Sequence, residues 1–446
     1  MKNMKLAHQL ALQVQAKGGR AYFVGGYVRD LLLGKESKDL DIEVHGITPP
    51  TLEAIVDSLG ERINIGESFG IFAVKGYEVD IAMPRKERLC GVHHRDFTIE
   101  VDPFLGIHKA AQRRDFTINA MLADVLTGEI IDPYGGKADL AKGILRHVHA
   151  PSFIEDALRV FRGAQFAARF AFSIAEETIA LCRQIEVSHL AKERVEAELK
   201  KALLKADKPS LFFSALRSMH QVTQWFPEVE ALIGVAQNPM YHGEGDVWNH
   251  TMAVVDAFVP YRSHVAQPFA CMLACIAHDF GKPSCTTGEK ENIHAYRHEI
   301  KGLPLAKEWV TRLTNDQKCL ELVLNLTKLH MRPNALAKDN ASITASNKLF
   351  DIAIDPEALI YLALADSKGR IATVPTEDTA PYLWQRLAIY RQTMQQPYVT
   401  GKDLIACGLP PTKDFSKWLA FAHTLRLAGV SKEKALKQTL AVARKS

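Results

Sequence analysis

The chain has 446 residues, 47% of them apolar and 24% charged, and 55 basic side chains against 51 acidic ones leave a formal charge of +4. That length predicts roughly three domains. No apolar run approaches the roughly 20 residues that span a bilayer, and polar residues break any signal-peptide core in the opening MKNMKLAHQLALQVQAKGG, so a cytoplasmic protein without membrane contact is expected.

The first 150 residues read as α/β. RAYFV is a short apolar strand that runs into Gly25-Gly26, and the helical pattern YVRDLLLG follows at once. Glycines at that junction let backbone N–H groups approach a phosphate, and Arg29, one turn into the helix, is placed to reach the same anion. DLDIEVHGI, GIFAVKGYEVDIAM and TGEIIDPYGG follow as strands bounded by turn residues. In KDLDIEV, Asp39 and Asp41 alternate onto one face of a strand. Two carboxylates about 6–7 Å apart repel one another unless a divalent cation lies between them, and Mg²⁺ held by two carboxylates and substrate phosphates is the usual arrangement for nucleotidyl transfer. Asp80, a charge inside the apolar strand YEVDIAM, is the candidate third ligand, with Glu78 on the same face.

RDFTI occurs twice, at Arg95–Ile99 and Arg114–Ile118, but the flanks diverge at once: IEVD reads as strand and INAM as buried core. Two separate jobs are therefore expected from one β-forming phrase.

After Pro151 the apolar residues recur at i, i+3, i+4 and i+7, so a helical chain is expected to its end, with loop-rich patches near 234–246 and 369–382. In FIEDALRVFRGAQFAARF, that spacing puts Glu155, Arg159 and Arg162, and Asp156 with Arg159, on one helical stripe. Cytosine and adenine each show an amine donor beside a ring-nitrogen acceptor; a carboxylate with a guanidinium matches both, whereas uracil and guanine reverse the pattern.

Further on, WNHTMAVVDAF, CMLACIAHDFGK and LALADSKGR carry His250, the doublet His278-Asp279, and Asp366. Imidazoles and carboxylates in that set suit a water-activating transition metal such as Ni²⁺ or Mn²⁺. His298 and His330 are candidates for a second metal or for a phosphate. The seven cysteines are scattered, without a CxxC pair, which argues against a disulfide framework or a zinc ribbon; Cys271 and Cys275, on one helix face, read as small buried side chains.

Gly-Gly followed by DxD resembles the nucleotidyltransferase signature of the DNA polymerase β superfamily. With RRDFTINAM and FIEDALRVFRGAQFAARF, the ordered motifs resemble the class II tRNA nucleotidyltransferases, that is, the CCA-adding enzymes and their bacterial poly(A) polymerase siblings. The doublet and its ordered partners resemble the HD phosphohydrolase superfamily. These resemblances imply an α/β head with a polymerase β-like palm over 1–150, an all-α neck over 151–232, an HD-type helical body over 233–370 and a helical tail over 371–446. They imply Asp39 and Asp41 as catalytic Mg²⁺ ligands, and Gly25, Gly26, Arg29, Arg114, Asp156, Arg159 and Arg162 as nucleotide contacts, with Asp156 and Arg159 selecting C and A. His250, His278, Asp279 and Asp366 would form the HD metal site. The partners implied are CTP, ATP and the tRNA acceptor end.

Cys90–Arg95 falls where the family carries the flexible segment implicated in switching from C to A addition, and its presence favours a complete CCA adder. Gln165 stands where the family commonly has a basic residue. The alternatives are an enzyme adding only the terminal A, a poly(A) polymerase, against which the near-neutral charge argues, and an HD phosphohydrolase whose head only binds RNA.

Overall fold

The computed structural model describes residues 2–36, 40–64, 71–89, 97–371 and 378–444. Asp39 and the Cys90–Arg95 segment lie outside the described residues. The chain divides into two compact units, one of Met1–Ala202 with Leu211–Gln221 and one of Leu203–Ser210 with Val222–Ser446.

The first unit begins as the α/β pattern requires. Its first nine strands are β1 (Arg20–Val24), β2 (Leu40–His45), β3 (Arg62–Asn64), β4 (Ile71–Val74), β5 (Val79–Ala82), β6 (Arg85–Leu89), β7 (Phe97–Val101), β8 (Leu122–Asp124) and β9 (Ile130–Ile131). Seven of them form one mixed sheet in the order β3-β4-β5-β2-β1-β8-β9, and β6 and β7 form a separate antiparallel pair. The pairing of β2 with β5 is parallel and sets Asp41 directly against Asp80. The Lys2–Ala16 and Pro49–Leu59 helices bury Leu6, Leu10, Val14, Leu52, Ile55 and Val56, the one-sided apolar stripe of a helix laid on a sheet.

The two RDFTI copies part as their flanks predict. Phe97–Val101 is strand β7, whereas Ile118, Ala120 and Met121 are core residues 0–2% exposed.

From Ala150 onward helices dominate. The expected continuous helix is divided: one helix covers Ala150–Ile154 and the next Leu158–Phe170. Asp156 lies in the break, where its Oδ1 accepts a hydrogen bond from the backbone N–H of Leu158 at 3.1 Å. A short carboxylate side chain that bonds nearby backbone N–H groups starts helices rather than continuing them. The single stripe through Glu155, Arg159 and Arg162 is therefore interrupted at its first member.

The second unit is almost wholly helical, with the Val247–Ala257, Pro268–Ala277, His298–Leu313, Gln317–Leu329 and Pro356–Lys368 helices among its elements. All ten residues of Pro268–Ala277 except Pro268 are buried, Cys271 and Cys275 included, so this helix runs through the middle of its unit. Among the described residues no helix is long and apolar enough to cross a membrane.

Candidate functional sites

In the first unit the Gly25-Gly26 junction is a site of close approach. Gly25 has φ +66°, the left-handed region that glycine adopts without strain. A Cβ there would lie 3.5 Å from Nη1 of Arg114 and 3.6 Å from Oδ2 of Asp41, so the absent side chain leaves open the space that these two groups face. Asp41 and Asp80 are exposed, side by side on neighbouring strands, two carboxylates of the kind that bind hard divalent cations.

Arg29 is turned inward instead. It is 4% exposed, donates Nε to Asp30 at 2.9 Å and Nη1 to Asn119 at 2.7 Å, and packs over the rings of Phe170 and Phe166. Its Nη2 lies 3.3 Å from where a Cβ on Gly26 would stand, so it supports the glycine turn from beneath. The aromatic pair gives the guanidinium a slot that sequence spacing does not reveal.

Arg113 and Arg114 converge on Glu43: both Nη2 atoms donate to Oε2, at 3.0 and 3.2 Å, while Nε2 of His45 lies 3.0 Å from Oε1. Burial alone would raise the pKa of Glu43, but His45 and the two arginines hold it far below the usual carboxylate range. Arg159 donates to the carbonyls of Ser152 at 2.6 Å and Arg113 at 2.7 Å, and both oxygens of Asp156 accept from Nη2 of Arg194 at 3.1 Å. Arg162 is paired with Asp115 through Nε at 2.8 Å and Nη2 at 2.6 Å. Burial pushes Asp115 up, but the Arg162 charge and the Asn119 hydrogen bond bring it below its ordinary value. Gln165 is buried within its helix, and its Nε2 has no hydrogen-bond partner among the described residues.

The second unit brings His250, His278, Asp279 and Asp366 together, each no more than 2% exposed. Nε2 of His250 lies 3.1 Å from Asp366 and 3.8 Å from Asp279; Nε2 of His278 and of His298 each lie 3.2 Å from Asp279. His330 completes the group, its Nε2 being 3.2 Å from that of His298. The ring orientations have a common cause. Nδ1 of His278, His298 and His330 faces the carbonyl three residues earlier, that of Cys275, Ala295 and Thr327, at 2.8, 2.8 and 2.7 Å. Those contacts turn the three rings so that Nε2 of each lies on the Asp279 side, the nitrogen that each would offer to a metal. Two sets, His250 with His278 and Asp279, and Asp279 with His298 and His330, each gather three ligand atoms within 4.8 Å.

Lys282 reaches Asp279 at 2.7 Å and Arg370 reaches Asp366 at 2.5 Å. Burial would raise both acids, but His278 and Lys282 hold Asp279, and Arg370 and His250 hold Asp366, well below the carboxylate range. His330 is pushed down to about 3 by burial and by the neighbouring imidazoles, so it is a neutral base at ordinary pH. The group opens into a cavity of about 330 Å³, whose lining includes Tyr241, Lys282, Tyr296 and Arg370.

The sequence reading did not single out Glu43, Asp115, Arg194, Glu244 or Arg370. Glu43 follows Asp41 at the same strand period, and Arg370 follows Asp366 by one helical turn; those two were findable. Glu244, 2.8 Å from His242 and 3.0 Å from His250, lies in the expected loop, and Arg194 meets Asp156 across 38 residues.

The family model described as the poly A polymerase head domain matches residues 21–146. The multifunctional CCA protein of Aromatoleum aromaticum is 37% identical over 375 residues, covering 82% of this chain and 89% of that protein. Among solved structures, a CCA-adding enzyme in complex with ATP superposes with a TM-score of 0.70 at 20% identity, covering 100% of this chain and 94% of its own. The Thermotoga maritima CCA-adding enzyme complexed with tRNA gives 0.65 at 20% identity, covering 98% and 95%.

Proposed function

The chain belongs to the multifunctional CCA protein family, and on that premise we propose that it is a CCA-adding tRNA nucleotidyltransferase. It builds C, C and A onto the tRNA 3′ end from CTP and ATP, with side chains in place of a nucleic-acid template. The observation that carries this reading is the convergence of Gly25, Asp41 and Arg114 on one open space, with Asp80 registered beside Asp41.

Asp41 and Asp80, with Asp39 two positions before Asp41, are the residues that would hold Mg²⁺, which when bound supplies positive charge to the attacking and leaving oxygens. The residues around them do the rest. Gly25 leaves room for the triphosphate, and Arg114 directs Nη1 at its oxygens. The tRNA 3′-hydroxyl then displaces pyrophosphate in line, and no side chain forms a bond to the substrate. Asp156 accepts from the exocyclic amine of the base, Arg159 donates to the ring nitrogen, and Arg194 holds the Asp156 carboxylate in place. Arg162 stands behind them, its guanidinium fixed by Asp115.

In this reading 1–150 is the nucleotidyltransferase head, 151–232 the base-selecting neck, 233–370 an HD-type body and 371–446 a tail against the tRNA, all in the cytoplasm. The buried cluster of His250, His278, Asp279 and Asp366 favours a second, metal-dependent phosphohydrolase activity. The four side chains fit a transition metal such as Ni²⁺ or Mn²⁺, which when bound supplies a hydroxide at neutral pH; Lys282 and Arg370 provide the cationic wall for a phosphate.

The test is Asp41→Ala, assayed for incorporation of CTP and ATP into tRNA alongside circular dichroism. Addition is expected to fall by about 10³-fold or more, with an unchanged spectrum and melting temperature because Asp41 is exposed. Addition at the wild-type rate would remove Asp41 from the site.

A further inference from the structure

We propose that Glu43 is a positioning residue for nucleotide binding: one buried carboxylate aligns both arginines of the RRDF motif so that Arg114 meets the triphosphate. The proposal rests on the nucleotidyl-transfer reading of the Gly25–Asp41–Arg114 space.

A buried carboxylate is costly unless charges and hydrogen bonds surround it. The Glu43 side chain is 3% exposed, and its three partners arrive from two directions. His45, two residues on along β2, lies against Oε1, and Arg113 and Arg114 share Oε2. Two adjacent guanidinium groups repel one another and would splay apart without an anion between them. Oε2 is that anion, and it occupies Nη2 of each.

The geometry of Arg114 makes the consequence specific. With Nη2 drawn to Glu43 at 3.2 Å, Nη1 of the same planar fork is left facing the Gly25 space, on the side where Asp41 stands. Strand period explains how one strand serves both ends of this arrangement. Asp41 and Glu43 are two residues apart and lie on the same face of β2. The exposed acid is placed for the cation that accompanies the nucleotide, and the buried acid for the arginines that grip it. Arg113 extends the alignment, because its carbonyl accepts from Nη2 of Arg159 at 2.7 Å. Glu43 thus braces the phosphate end of the site, and through Arg113 it reaches the arginine assigned to the base.

The experiment uses the full-length protein, tRNA ending before CCA, and separate titrations of CTP, ATP and tRNA, with melting temperatures for each variant. Glu43→Gln keeps the shape and one acceptor oxygen but removes the charge. We expect it to raise KM for CTP and for ATP alike by about tenfold, the loss from one charge-assisted contact. kcat should stay within about threefold and KM for tRNA should not move, the pattern of lost binding rather than lost chemistry. Glu43→Ala should raise both nucleotide KM values further; if it does not fold, Glu43→Gln decides alone. A lower melting temperature with wild-type KM for both nucleotides would overturn the proposal in favour of a fold-stabilising role. A drop confined to kcat would also overturn it, by putting Glu43 among groups that act on the reaction itself. If the wild-type protein adds no nucleotide, the underlying reading has failed, and that is seen before any variant is made.

Discussion

In the first unit Asp41 and Asp80 stand side by side at exposed strand positions, whereas in the second Asp279 and Asp366 are 1% and 2% exposed and are enclosed by Lys282, Arg370 and imidazoles. Both arrangements gather carboxylates, but they offset the repulsion differently. The exposed pair is open to a cation that arrives with the substrate. The buried pair is neutralised in advance by cationic side chains, so it is part of the folded core as well as a site. Substitutions in the first should therefore cost activity without stability, and substitutions in the second should cost both.

The largest expected contrast comes from Asp279→Ala. Calorimetric titration with Ni²⁺ or Mn²⁺ should show binding to the wild-type protein and none to the variant, and phosphohydrolase activity should vanish with it. Leaving Lys282 without its anionic partner should also lower stability by about 3–5 kcal/mol, measured by urea denaturation, while CTP and ATP incorporation continues. Equal losses of incorporation and hydrolysis would show that the two sites are not separable in this way.

A smaller effect is expected from Asp156→Asn, which exchanges a carboxylate for an amide that can present a donor to the base. Preference for CTP and ATP over UTP and GTP should fall by about 10–100-fold, the worth of one or two mispaired hydrogen bonds. Arg194→Ala should relax the same preference by a few-fold, since it removes the restraint on Asp156 and not the acceptor itself. Unchanged selectivity in Asp156→Asn would move base selection elsewhere in the neck.

The smallest effect concerns acid. Asp115 has a lowered pKa in the folded protein: burial opposes this, and the charge of Arg162 outweighs it. Its contribution to stability is therefore fully present above the unfolded carboxylate value of about 3.9 and is lost as pH falls through the folded value. Urea midpoints measured from pH 6 down to pH 3 should decline below about pH 4 in the wild type, and Asp115→Asn should flatten part of that decline. A steeper decline in the variant would contradict the sign.

Much of this architecture was legible in the sequence because short-range patterns determine it. Gly-Gly between a strand and a helix, an apolar strand carrying Asp41, and the helical period after Pro151 each describe a few neighbouring residues, and each appears in the structure. The His-Asp doublet carried its own signal too. What escaped were partners brought together by strand crossovers and helix packing. Glu43 and Arg113 are 70 residues apart, and Asp156 and Arg194 38; nothing local names either pair. Arg29 lies beside the Gly-Gly turn as its position suggests, but the slot that Phe166 and Phe170 give it was not visible in the sequence. The break at Asp156 was missed because helical periodicity across Phe153–Phe170 continues through it, although the carboxylate accepts the Leu158 N–H where a new helix begins.

The most direct measurement is a gel assay at single-nucleotide resolution with Mg²⁺, offering tRNAs that end before CCA, after C and after CC, each with CTP alone, ATP alone or both. The account predicts that the shortest tRNA is completed to CCA and extended no further. If only the tRNA ending in CC gains a single A, or if ATP alone yields a long tail, the proposal of complete CCA addition is contradicted.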